Sequence, residues 1–129
     1  MLPAIDPVTT SSWIALTEHF KEAQKISLSE LFEKDPARPS KFSIEWDDFF
    51  VDFSKNHVTQ ETISLFAGLL DQVKLEDAKK AFISGEKINL TENRSVLHTA
   101  LRNLSDRPVS VDGENVMPLV KRELEKVKN

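Results

Sequence analysis

Lys41-Phe42-Ser43-Ile44-Glu45-Trp46-Asp47-Asp48-Phe49-Phe50-Val51-Asp52-Phe53 decides the fold class, because here the apolar residues stop recurring at helical spacing and begin to alternate. Phe42, Ile44 and Trp46 point one way while Lys41, Ser43 and Glu45 point the other, as a half-buried strand requires. Asp47-Asp48 is a turn candidate. Phe49, Val51 and Phe53 repeat the alternation, so the stretch reads as an antiparallel hairpin whose turn type is left open by the absence of glycine.

Upstream the period is helical. Pro3 and Pro7 followed by Thr9, Thr10, Ser11 and Ser12 suit an extended arm ending in helix caps, after which Trp13, Leu16, Phe20 and Ala23 form an apolar stripe. Ser27-Leu28-Ser29-Glu30 is a capping box for a short helix that buries Leu28, Leu31 and Phe32 and stops before Pro36 and Pro39. Downstream, Thr59 caps a helix with Ile63, Phe66, Ala67, Leu70 and Val73 on one stripe. Gly68 weakens that helix by about 1 kcal/mol relative to Ala unless close packing needs the missing side chain. A helix over about Leu75 to Ser84 ends on Gly85 as a left-handed cap. Thr91 is expected to open another helix with Leu97, Ala100, Leu101 and Leu104 inward. Val109 and Val111 lead into Asp112-Gly113, the best tight-turn signal in the chain, and Pro118 suits the first turn of a last helix carrying Val120, Leu124 and Val127. The expected fold is α+β: mainly α-helical, with one or two small antiparallel hairpins, in a single domain spanning residues 1–129.

Composition narrows function mainly by exclusion. With 129 residues the chain can bury one core, and its three glycines, Gly68, Gly85 and Gly113, are too scattered for a phosphate-cradling loop or dinucleotide fingerprint. Zero cysteine removes disulfides, thiolate metal sites and cysteine nucleophiles, and fits a reducing compartment. A net charge of −4 gives no basic face for nucleic acid or anionic membrane. Met1-Leu2-Pro3-Ala4-Ile5-Asp6 lacks the basic and apolar regions of a signal peptide, and no apolar run approaches a bilayer span, so a cytoplasmic protein is expected. The pattern of the last helix runs up to Asn129 without a terminating cap, which reads as an interrupted chain.

The densest polar block is Gly85-Glu86-Lys87-Ile88-Asn89-Leu90-Thr91-Glu92-Asn93-Arg94-Ser95-Val96-Leu97-His98, continuing to Arg102. On a helix Arg94, His98 and Arg102 would be successive i, i+4 neighbours forming a basic ridge. Such a ridge either holds a phosphate or carboxylate, or pairs with Glu86, Glu92 or another internal carboxylate to fix the preceding loop. His98 has a side chain suited to general-base work, yet it adjoins the apolar Leu97 and Leu101 positions and no nucleophile stands at a matching spacing. His19 and His57 stand alone, so no metal site is expected. Asp47, Asp48 and Asp52 form the nearest thing to a carboxylate cluster, and the alternation places Asp48 and Asp52 on a solvated hairpin face.

The run from Gly85 to Arg102 closely resembles a characteristic segment in the N-terminal part of glucose-6-phosphate isomerases. Val51-Asp52-Phe53-Ser54-Lys55-Asn56 with Val58-Thr59, Leu101-Arg102-Asn103, and Val111-Asp112-Gly113-Glu114-Asn115-Val116-Met117-Pro118 agree with the same family in the same order. The resemblance weakens before about Phe42. It implies the N-terminal part of a larger sugar-isomerase-type α/β protein, which interconverts glucose 6-phosphate and fructose 6-phosphate through an enediol in glycolysis and gluconeogenesis, without metal or organic cofactor. It further implies a homodimeric parent, whose catalytic glutamate, histidine and lysine and whose phosphate-binding loop belong to two sugar-isomerase domains that follow.

Gly85, Glu86, Lys87, Asn89, Thr91, Glu92, Arg94, His98 and Arg102 therefore match a family motif with an expected structural role. No catalytic residue is assigned among them. The resemblance implies that the remaining sugar-isomerase domains of the parent chain are the partners and that the sugar phosphate binds in the parent alone. The chain by itself is expected to be inactive and to expose apolar faces meant for those domains. The competing reading is a free-standing, non-enzymatic helical interaction module.

Overall fold

The computed structural model describes residues 3–105 and 107–128. It divides into two compact units, one formed by Asp6–Gln72 and the other by the chain from Val73 on together with the residues before Asp6.

In the first unit a 3-10 turn, Pro7–Thr9, leads into α1, Ser11–Ala23, whose Trp13 N–H donates to the Thr10 hydroxyl as the cap expected of this stretch. The capping box forms as read: Ser27 N–H donates to Glu30 Oε2 at 2.7 Å and Glu30 N–H to Ser27 Oγ at 3.2 Å, opening α2, Leu28–Lys34. One extra turn of helix, α3 (Arg38–Lys41), follows Pro36 and takes in the second predicted breaker, because Pro39 falls in its first turn, where no backbone donor is needed. The hairpin pairs β1 (Ser43–Trp46) with β2 (Phe49–Asp52) in the register Ile44↔Val51 and Trp46↔Phe49, and Asp47 supplies the tight turn at φ +50°. Phe42 and Phe53 close its base edge to face, with ring centroids 5.8 Å apart.

The long helix α4, Gln60–Gln72, packs on α1. Gly68 is where they come close: a Cβ there would lie 3.0 Å from Ser12 Oγ. Gln72 then ties the start of α1, accepting from Ser12 N–H and donating to Ser11 Oγ. At the start of α4, the Thr59 hydroxyl accepts from Thr62 N–H, and Thr62 Oγ1 lies 2.7 Å from His19 Nε2 on α1.

In the second unit α5, Leu75–Ser84, ends at Gly85 with φ +88°, as expected of a left-handed cap. After an irregular stretch come α6 (His98–Leu101), the two-residue strands β3 (Ser110–Val111) and β4 (Glu114–Asn115), and α7 (Met117–Lys128). Ala100, Val109 and Met117 make its core, with Leu97, Val116 and Val120 packed against it.

Two expectations need correction. The hairpin is not half-buried: Trp46 is 71% exposed and Phe50 68%, and Trp13 and Phe20 on the α1 stripe are exposed as well. The alternation fixed which side chains share a face but not whether anything covers it. The helix expected from Thr91 is confined to His98–Leu101, for reasons that lie in the polar block itself.

Candidate functional site

Residues 89–94 close on themselves. Asn89 and Arg94 exchange main-chain hydrogen bonds at 3.2 and 3.1 Å, forming an isolated antiparallel bridge around a loop in which Asn93 adopts φ +51°. Asn89 fills the loop with its side chain: Oδ1 accepts from Thr91 Oγ1 and Glu92 N–H, and Nδ2 donates to Glu92 Oε2 at 3.2 Å. Short polar side chains offer backbone donors an alternative to helix, and here the alternative wins. Arg94 consequently sits outside any helix, so the ridge of Arg94, His98 and Arg102 does not form. Arg94 is 75% exposed, with Glu92 Oε2 3.9 Å from its guanidinium. His98 begins α6 and Arg102 folds back to its carbonyl at 3.3 Å.

The flanks of the loop are anchored in the same unit. Ser95 Oγ donates to the Gly85 carbonyl at 2.6 Å, and Lys87 Nζ lies 2.8 Å from Asp112 Oδ2 in the second hairpin. Gly85 is buried so closely that a Cβ would stand 2.7 Å from the Ser110 carbonyl oxygen. Glu86 donates its N–H to the Ala81 carbonyl at the end of α5. The motif residues are thus brought into one neighbourhood, but their polar atoms serve the loop and its attachment to the hairpin. Gly85, Glu86 and Lys87 share a groove of about 320 Å³ with Leu90, Asn93 and Asp112, but neither His98 nor a serine nucleophile lines it, so no acid, base and nucleophile converge there.

Sequence reasoning missed the most highly built polar group. Arg38 is 2% exposed and its guanidinium donates to three main-chain carbonyls, those of Ser54, Asn56 and Val58, at 2.8 to 3.1 Å. It also lies over the Phe42 ring at 4.5 Å and the Phe32 ring at 5.5 Å. Its acceptors are 16 to 20 residues away, and the only local signal was an arginine between prolines. Arg38 gathers the segment after β2 and delivers it to the start of α4.

A groove of about 380 Å³ in the first unit runs between α1 and α4 and is lined chiefly by Trp13, Leu16, Phe20, Val58 and Phe66 with His19 and His57. Among the described residues no three His, Cys, Asp or Glu side chains are grouped to hold a metal ion, and no helix is long and apolar enough to cross a membrane.

The chain is therefore a mainly helical protein whose motif-bearing loop is a self-contained structural element. The family model for phosphoglucose isomerase matches residues 52–129, from the end of β2 through the loop and the second hairpin into α7. The chain belongs to the phosphoglucose isomerase family.

Proposed function

We propose that this chain is the N-terminal part of an enzyme that interconverts glucose 6-phosphate and fructose 6-phosphate by proton transfer through an enediol. Its contribution is structural: it presents the 85–102 loop and the two hairpins to sugar-isomerase domains that carry the catalytic groups and the phosphate site. The observation that carries this reading is the family match across residues 52–129, joined to the way Asn89, Glu92 and Ser95 are occupied within their own unit. The exposed apolar side chains of the first hairpin supply surface for those domains. The enzyme would act in the cytoplasm, in glycolysis and gluconeogenesis, as a homodimer and without a cofactor. The test is an isomerase assay on the isolated chain. Fructose 6-phosphate should not be converted; measurable conversion would show that the chemistry resides here after all.

A further inference from the structure

Asp112 is the only Asp or Asn in the sequence followed by glycine. Both residues form the tip of the second hairpin with positive φ, +53° at Asp112 and +84° at Gly113. Asp112 has a side chain 69% exposed, nothing lies within 4 Å of where a Cβ on Gly113 would stand, and Gly113 N–H makes no hydrogen bond among the described residues. The hairpin behind the tip has only the pairs Ser110↔Asn115 and Val111↔Glu114, so opening it locally breaks little structure.

We propose that Asp112 is a site of spontaneous isoaspartate formation in the folded protein and that Lys87 restrains it. The Gly113 amide nitrogen attacks Asp112 Cγ of the protonated carboxyl, forming an N–Cγ bond. The Cγ–OH bond breaks and the hydroxyl leaves as water with the amide proton, closing a five-membered succinimide. Water then adds back: opening at Cγ restores aspartate, while opening at the main-chain carbonyl carbon leaves the chain running through Cβ and Cγ. Water is the only co-reactant, released once and consumed once. Glycine makes the step accessible because no side chain shields the attacking nitrogen.

Lys87 opposes the reaction geometrically. Its Nζ, 2.8 Å from Asp112 Oδ2, holds the carboxylate toward the ammonium group, whereas attack requires Cγ to swing over Gly113 N. The product adds a methylene to the backbone of a two-residue turn. The change falls beside the Ser110 carbonyl that Gly85 abuts and next to the Val116 N–H to Val109 O bond, 2.9 Å long, that leads into the core of this unit.

The test is to age the folded chain at neutral pH and label it with an isoaspartyl methyltransferase, mapping the label by peptide. Wild type should accumulate label on the peptide containing residues 112 and 113. Lys87→Ala, with an unchanged circular dichroism spectrum, should accumulate it severalfold faster, and Asp112→Glu should show none there. If Lys87→Ala loses its native spectrum, raising the salt concentration on wild type replaces it, because screening of this exposed pair should speed labelling in the same way. Label at this peptide only in urea-unfolded chain, and none in folded chain, overturns the site. Equal rates in wild type, Lys87→Ala and high salt overturn the role of Lys87.

Discussion

Arg38 donates to the Ser54 carbonyl oxygen from both Nε and Nη2, at 3.1 and 2.8 Å, and so fixes the exit of the first hairpin with one buried guanidinium. Removing it would strand the carbonyls of Ser54 and Val58, leave that of Asn56 with the Val58 N–H alone, and open a space between the Phe32 and Phe42 rings. Arg38→Ala should lower unfolding free energy by about 3–5 kcal/mol, read from urea denaturation followed by circular dichroism. Arg38→Lys should recover little of it, since an ammonium cannot reproduce the planar fork. A loss within about 0.5 kcal/mol of an ordinary surface substitution would contradict the anchoring role.

The three glycines should respond to alanine in a fixed order. Gly85→Ala meets both a positive φ and a main-chain oxygen at 2.7 Å, so it should be the most costly, exceeding the roughly 1–2 kcal/mol of a left-handed alanine. Gly113→Ala has the same backbone problem in open space and should cost about 1–2 kcal/mol. Gly68→Ala meets only the movable Ser12 hydroxyl at 3.0 Å and gains up to about 1 kcal/mol of helix propensity, so it should be the mildest. Thermal melts of the three variants check the order.

Acid should weaken the first unit through identifiable carboxylates. The Ser27 backbone N–H, then its hydroxyl, hold Glu30 below the usual carboxylate range; the Lys41 ammonium does so for Asp35, and the Ser54 hydroxyl and N–H for Asp52. Because these folded-state values are depressed, their stabilisation is fully present above the unfolded value of about 4 and is lost as pH falls through the lower folded values. Glu30→Gln and Asp35→Asn should therefore flatten the fall in melting temperature below about pH 4. An acid limb identical to wild type in both variants would count against these contacts.

The stacked pair Trp46 and Phe49, ring centroids 5.8 Å apart, stands on an exposed hairpin beside Phe50. The isolated chain should bind an apolar dye and self-associate, and Trp46→Lys with Phe50→Lys should reduce both severalfold without lowering helix content. Light scattering that finds wild type already monomeric and free of dye would refute this surface reading.

What was legible in the sequence were features decided within a few residues: the Ser27–Glu30 box, the left-handed cap at Gly85, the Asp112-Gly113 turn and the face pattern of Phe42 to Phe53. What was not legible depended on competition or distance. A helical stripe through Leu97 and Leu101 was visible, but Asn89 and Asn93 satisfy the backbone in another way and shorten it to His98–Leu101. Arg38 was invisible because its carbonyl partners lie 16 to 20 residues away, on the far side of the hairpin. For the motif residues the loop geometry is local, whereas the prediction of their structural role came from family resemblance.

The most direct measurement of the central claim is conversion of fructose 6-phosphate by this chain alone, by the sugar-isomerase domains of a phosphoglucose isomerase supplied as a separate chain, and by the two mixed. Turnover is expected only from the mixture, with none from this chain alone. Turnover by this chain alone, or by the separate domains at a rate unchanged when this chain is added, would contradict the account.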